Sequence, residues 1–167
     1  MRCHLKQHRL TVLRVVLTLL SVAAVSFIFY NSFQSADEST VRSTGLREAI
    51  NSILRTLGIG WELTEHVIRK MAHFAEFFVL GALLSATALA YVPRPKILPT
   101  SLGVGIAVAV TDELIQSGSE GRSTQVSDML LDVSAVLTAV LIAAGIRYLC
   151  HRRKGADANG REEDSDE

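Results

Sequence analysis

Four long apolar stretches constrain the fold of this chain more than any other feature of its sequence. They cover about residues 10–30, 71–92, 97–115 and 126–149, and they gather much of a composition that is 49% apolar. As a helix, the first of them spans about 30 Å, which is the thickness of the hydrocarbon core of a bilayer. The sequence therefore predicts an all-α integral membrane bundle of four transmembrane helices.

The remaining residues form two ends and one long connection. Residues 1–9 are basic and are expected to form a cytoplasmic N-terminus, and residues 10–149 are expected to form the membrane domain. Residues 150–167 are acidic and poor in apolar side chains, which predicts a disordered cytoplasmic tail. The first apolar stretch also has features of a cleaved signal peptide. Two features favour an uncleaved helix: the length of the stretch, and the presence of Gln34 where the best candidate cleavage site requires a small residue at position −3.

The connection between the first two apolar stretches contains a second kind of helix. Residues 31–40 are polar and favour irregular structure. Apolar residues then recur at helical spacing until Gly58 and Gly60: Leu46, Ile50, Ile53, Leu54 and Leu57. This pattern predicts a short extracytoplasmic amphipathic helix that either lies on the bilayer or caps the bundle, with Trp61 at the membrane interface.

The distribution of Lys and Arg predicts the orientation. The N-terminus, the turn at residues 93–96 and the segment 147–154 are richer in these residues than the connections 31–68 and 117–125. The positive-inside rule then gives a multi-pass protein of the cytoplasmic (inner) membrane with both termini in the cytoplasm. Two cations at the outer start of helix two count against this orientation.

Ionisable side chains stand in or beside three of the predicted membrane helices, although each costs about 2.5 to 3.5 kcal/mol to insert. They open helix two, close helix three and open helix four, so alternate crossing places them on the same outer side. We expect ten polar residues to meet there: Arg69, Lys70, His73, Glu76, Asp112, Glu113, Gln116, Arg122, Asp128 and Asp132. Such groups usually face a protein interior or a water-filled cavity, which predicts an outward-facing polar cavity.

Small residues continue two of these polar faces towards the other side of the membrane. Ala135 and Ala139 follow Asp132 at helical spacing, and Gly105 and Ala109 precede Asp112 in the same way. Faces of this kind allow helices to pack closely and would bring the polar groups together. The alternative interpretation is that the polar residues form only buried ion pairs that hold the helices in register.

Other classes of site find less support in the sequence. His73 and Glu76 are three residues apart, and the nearby carboxylates suit Mg²⁺ or Mn²⁺ better than zinc. Three cations in the same cluster compete for those acids, so we predict no metal and no cofactor. The net charge is zero and no basic surface indicates binding to nucleic acid.

Two blocks of residues, in this order, carry a resemblance to a known family: Arg69-Lys70-x-x-His73-Phe74-x-Glu76-Phe77, and Asp112-Glu113-x-x-Gln116 followed by Arg122, Ser123 and Asp128. Over about residues 10–149 the sequence resembles VanZ-like membrane proteins, a family named for a teicoplanin resistance protein encoded in a glycopeptide resistance cluster. The family often has Asn and then Gly at the positions held here by Asp132 and Ala135. The additional carboxylate would alter the charge preference for a ligand.

The resemblance implies an accessory cell-envelope protein that affects susceptibility to teicoplanin-type glycopeptides. Its partners would be the lipid bilayer and a lipid headgroup, an envelope precursor or the glycopeptide. Whether the protein is an enzyme stays open, and two alternatives remain. One is an intramembrane enzyme acting on an envelope lipid or lipid-linked carbohydrate, with Glu76 or His73 as acid/base and three cations binding phosphate: Arg69, Lys70 and Arg122. The other is a structural partner of a second membrane protein, or a transporter that would require oligomerisation because no internal repeat is evident.

Overall fold

The computed structural model describes residues 2–34, 36–119 and 125–163, and every regular element within them is an α-helix. The elements are α1 (Arg2–Ser32), α2 (Ala36–Thr56), α3 (Glu65–Tyr91), α4 (Arg94–Ser117) and α5 (Val126–Glu163). Four of these helices, α1, α3, α4 and α5, are long and apolar enough to cross a membrane. The predicted four-helix membrane bundle, with a further helix between the first two spans, is confirmed.

Several helix boundaries differ from those predicted, beginning with α1, which starts at Arg2 rather than near Leu10. Helix α2 begins at Ala36, inside the stretch expected to be irregular, because Ser, Asp and Thr favour the start of a helix as well as a turn. Helix α3 begins at Glu65 rather than near Met71. The hydroxyl of Thr64 caps it by accepting a hydrogen bond from the backbone N–H of Val67. The polar residues of α3 therefore lie nearly two turns deeper in the helix than expected.

Helix α5 also runs beyond the predicted end of the fourth span. It continues past Leu149 to Glu163, where the sequence predicts a disordered tail from residue 150. Extending an existing helix adds one hydrogen bond for each residue that is fixed, which is easier than starting a new one. The Arg, Lys, Ala and Glu residues of this segment are also good helix formers.

Helix α3 lies at the centre of the bundle and packs against α1, α2, α4 and α5, most extensively against α5. The core lies where the four long helices meet and consists of buried apolar side chains: Ile28, Phe77, Leu80, Val108, Ala109, Ala135, Val136 and Val140. Many other apolar side chains of the long helices point outwards and are exposed, such as Leu19, Val79 and Leu141. This outward apolar surface fits a protein that is surrounded by lipid.

Small residues allow α3 and α4 to approach α5 closely around Val136. A Cβ atom added at Gly81 on α3 would lie 2.9 Å from the backbone oxygen of Val136, and one added at Gly105 on α4 would lie 2.4 Å from a methyl group of Val136. Ala109, Ala135 and Ala139 are also buried. The close packing predicted from Gly105 and these alanines is confirmed, and Gly81 extends it to α3.

Helix α2 packs against α3, and its connection to α3 is held by Asn51. The side chain of Asn51 donates to the carbonyl oxygen of Leu63 at 3.2 Å and accepts from the N–H of the same residue at 2.9 Å. Apolar residues on and just after α2 nevertheless remain exposed: Leu46, Ile53, Leu57 and Trp61. An exposed apolar face of this kind is what a helix lying on a bilayer presents to the lipid.

Candidate functional site

The polar residues of the four long helices meet at one end of the bundle. The ends of α1 and α4 and the beginnings of α3 and α5 lie together there, because consecutive long helices run in opposite directions. We call the set that they contribute the polar layer: Asn31, Ser32, Lys70, His73, Glu76, Asp112, Glu113, Gln116, Asp128 and Asp132. It lies above the close-packed residues around Val136.

Helices α1 and α4 are joined through Asp112, which is fully buried. The hydroxyl of Ser32, also fully buried, donates to one carboxylate oxygen of Asp112. The side-chain amide of Gln116 donates to the other oxygen at 2.7 Å and lies 3.4 Å from the Ser32 hydroxyl. Both oxygens of Asp112 are thereby held in a defined orientation, because each accepts a hydrogen bond.

Helix α3 is joined to α1 and to α5 by two further contacts. The side-chain amide of Asn31 donates to Glu76 at 3.0 Å. The ammonium group of Lys70 lies 2.8 Å from a carboxylate oxygen of Asp128, and both side chains are about one-third exposed, at 31% and 35%. A partly exposed ion pair of this kind contributes little to stability by itself.

The centre of the polar layer is acidic. Asp132 is only 2% exposed and Glu113 only 6%, and Asp132 lies within electrostatic reach of Glu113, Asp112, Asp128 and Glu76. Within the described part of the chain, neither Asp132 nor Glu113 forms an ion pair, and each has a buried carboxylate oxygen without a hydrogen-bond donor. A buried carboxyl group without a charge partner must either take up a proton or have a cation beside it, because an uncompensated buried charge costs several kcal/mol.

One oxygen of Glu113 connects the layer to the beginning of α5. It accepts a hydrogen bond from the backbone N–H of Gln125 at 2.6 Å. A carboxylate near the N-terminus of a helix also interacts favourably with the helix dipole. This contact holds the end of α4 against the start of α5 although the intervening residues 120–124 lie outside the described structure.

His73 lies beside two of the buried carboxylates. A ring nitrogen of His73 and one oxygen each from Asp112 and Asp132 all lie within 4.8 Å of one another. The three residues come from α3, α4 and α5, so this juxtaposition is produced by the fold rather than by a sequence motif. An imidazole and two carboxylates at this separation are able to transfer a proton or to bind a cation.

Of the ten predicted residues, eight belong to the polar layer. Arg69 is half-buried on α3 and forms no ion pair with the residues that the structure describes. Arg122 lies outside the described residues. The sequence prediction missed Asn31 and Ser32, because the polar stretch after helix one was interpreted as a connection. Alternate crossing places the end of helix one on the same side as the other polar residues, so Asn31 and Ser32 could have been predicted.

A pocket of about 730 Å³ lies at the opposite end of the bundle, between α3, α4 and α5. Its lining is mainly apolar with three basic side chains: Arg94, Arg147 and His151. None of its lining residues belongs to the polar layer, so the two features are separate.

Comparison with known proteins gives one match. The family model described as VanZ/LLP1 matches residues 17–148, which is well over half of the chain. No curated protein and no solved structure matches the chain. The matched segment includes the four long apolar helices over most of their length and every residue of the polar layer. The chain belongs to the VanZ/LLP1 family of proteins.

Proposed function

We propose that this protein is an accessory cell-envelope protein whose polar layer opens as a cavity towards the outside and binds a polar ligand. Binding would change the susceptibility of the cell to glycopeptide antibiotics of the teicoplanin type. Membership of the VanZ/LLP1 family supports the membrane location and the phenotype. The observation that carries the proposal is the burial of Asp132 and Glu113 without an ion-pair partner among the described residues.

A purely structural role explains this acidic centre less well. Apolar side chains of similar volume would pack the helices equally well or better. Replacing a buried ion pair with such side chains is often neutral or stabilising. If these polar groups served only to hold the helices together, each buried carboxylate oxygen would be expected to accept a hydrogen bond. Asp132 and Glu113 each have such an oxygen within the described structure. Ionisable groups inside a membrane protein are by default attributed to function.

The ligand that fits this chemistry carries many hydrogen-bond donors. Carboxylate oxygens accept hydrogen bonds from hydroxyl, amide and ammonium groups. Lys70 and Arg69, on the same stretch of α3, would bind a phosphate or carboxylate of the same molecule. A lipid-linked carbohydrate or peptide precursor of the envelope has all of these groups on its headgroup, and its lipid chain would remain in the bilayer beside the bundle.

A second candidate function is an enzyme that acts on such a ligand. The observation that favours it is the position of His73 within 4.8 Å of carboxylate oxygens of Asp112 and Asp132. A histidine next to carboxylates is a common arrangement for general acid–base catalysis. Turnover of the bound ligand by the purified protein separates this function from binding alone.

The experiment that tests binding is identification of the ligand. We expect the wild-type protein, purified in a mild detergent, to carry an envelope lipid precursor that mass spectrometry detects, and we expect Glu76→Gln to lose it. Glu62→Gln is the matched control, because Glu62 is exposed and its ion pair in the described part of the chain is with Arg55, at 3.6 Å. If wild type and Glu76→Gln carry the same lipids in the same amounts, the polar layer is not the binding site.

The orientation stated in this proposal is tested with reporter fusions. Fusions after Ser35 and Ser119 are expected to report the outside, and fusions after Lys96 and Lys154 the cytoplasm. The physical reason is the excess of Lys and Arg on the predicted cytoplasmic side. Activity of a cytoplasmic reporter after Ser119 would place the polar layer on the inner side and contradict a cavity that faces outwards.

A further inference from the structure

The strongest unassigned feature of the structure is the approach of one imidazole and two carboxylates inside a membrane bundle. His73, Asp112 and Asp132 belong to three different helices, and their ligand atoms all lie within 4.8 Å of one another. Three ligand atoms at about 2.0–2.2 Å from one metal ion lie about 3.3–3.8 Å from one another. Small movements of these side chains are therefore sufficient to place one ion between them.

Asp112 has the supporting contacts that a metal ligand requires. One of its oxygens accepts from the Ser32 hydroxyl and the other from the Gln116 amide, so the carboxylate cannot rotate freely. A carboxylate oxygen has two lone pairs, so accepting one hydrogen bond does not prevent it from binding a cation. Carboxylates that bind metals are usually oriented by such outer hydrogen bonds, and loss of one typically lowers metal affinity about 10–100-fold.

Asp132 provides an independent observation that points to a bound cation. It is 98% buried, as its exposed fraction is 2%, and its Oδ1 atom has no hydrogen-bond donor in the described part of the chain. Four other carboxylates act on it electrostatically: Asp112, Glu113, Asp128 and Glu76. Lys70, the described cation that bonds to this group of acids, contacts Asp128 instead. A divalent ion between Asp132 and Asp112 would compensate their charge at the point where they come closest.

From these observations we propose that His73, Asp112 and Asp132 bind one divalent metal ion of the zinc or manganese type. The mixed set of one nitrogen and two oxygen ligands selects this class, because Mg²⁺ and Ca²⁺ favour sites made of oxygen alone. Three protein ligands leave a coordination position open for water or for an oxygen atom of a ligand. The sequence pointed to His73 with Glu76 as the pair to consider, whereas the fold selects residues from α4 and α5.

The inference goes beyond the proposed function and does not depend on a susceptibility phenotype, because metal content is measured on the purified protein. Full-length protein in detergent is treated with a chelator, passed through a desalting column and titrated separately with Zn²⁺ and with Mn²⁺. Bound metal is counted by mass spectrometry of the elements, and Mn²⁺ is also followed by electron paramagnetic resonance. We expect one ion per chain and a higher unfolding temperature with the ion bound.

Three variants make the test specific. Asp132→Asn keeps the shape of the side chain, removes a buried charge and is expected to lower the affinity at least about 100-fold while the protein without metal stays folded. Ser32→Ala leaves the ligands in place and is expected to lower the affinity about 10–100-fold, as removal of an outer hydrogen bond does. Glu62→Gln, on an exposed acid outside the layer, is expected to bind as wild type.

Two results would overturn the proposal. One is wild-type protein that retains less than one ion per chain of both metals after titration and desalting. The other is equal affinity of wild type and Asp132→Asn, which would show that the metal binds elsewhere. In either case the binding of an envelope precursor, measured by mass spectrometry of lipids, would be unaffected and would still test the proposed function separately.

Discussion

Glu76→Gln and Asp128→Asn are each expected to abolish the change in glycopeptide susceptibility that the protein confers on a sensitive host. Each substitution removes one half-buried carboxylate from the polar layer and leaves its partner with a weaker contact. The partners are Asn31, which donates to Glu76, and Lys70, which lies 2.8 Å from Asp128. The readout is the inhibitory concentration of teicoplanin, measured together with the amount of protein in the membrane.

The control for this prediction is Glu62→Gln, which makes the same chemical change at an exposed position and is expected to retain the phenotype. The membrane abundance of both polar-layer variants is expected to stay close to that of wild type, because each replacement preserves the size of the side chain. If susceptibility follows protein abundance across the set, or if both variants behave as wild type, the polar layer has a structural role only.

Gly81→Ala is expected to destabilise the protein by about 1–3 kcal/mol, the range for adding a group to a packed core. The added Cβ would lie 2.9 Å from the backbone oxygen of Val136 and 3.0 Å from the Cβ of Ala139. Backbone atoms cannot rotate away as the end of a long side chain does, so α3 and α5 must move apart. That movement would also separate Lys70 from Asp128, which form an ion pair towards one end of the same helix pair.

Gly103→Ala is the matched control for Gly81→Ala. Gly103 lies within α4, and nothing lies within 4 Å of a Cβ atom added there. Since alanine is favoured over glycine inside a helix by about 0.5–1 kcal/mol, this variant is expected to be slightly more stable than wild type. The measurement is unfolding in mixed detergent micelles followed by circular dichroism. Opposite signs for the two variants support the close approach of α3 and α5, and equal effects contradict it.

The sequence was sufficient to predict the four membrane helices, because long apolar runs have few other solutions in a bilayer. It also located most of the polar layer, since alternate crossing places the end of α4 and the starts of α3 and α5 on one side. The order of the helices along the chain is sufficient for this prediction, and no distance is needed. The start of α2 at Ala36 was not predicted, because the same polar residues favour helix starts and irregular turns.

Which polar residues contact each other could not be derived from the sequence. The contacts of Asp112 with Ser32 and of Lys70 with Asp128 depend on how far each helix is rotated and shifted along its neighbour. Those shifts are fixed by packing around Val136 at Gly81, about three turns from Lys70 on α3, and at Gly105, about two turns from Asp112 on α4. A spacing rule within one helix, such as the one that paired His73 with Glu76, carries no information about neighbouring helices.

The most direct test of the central claim, that the polar layer is one coupled unit, is a double-mutant cycle between its two halves. Gln116→Ala weakens the contacts of α1 with α4, and Asp128→Asn weakens the contact of α3 with α5; the two side chains share no hydrogen bond in the described structure. The free energy of unfolding is measured for wild type, both single variants and the double variant. We expect an interaction energy of at least about 0.5 kcal/mol, as found for residues in one network. The physical reason is that Asp112 and Asp128 both act electrostatically on Asp132. Effects that add to within about 0.3 kcal/mol, as they do for independent sites, would contradict the account.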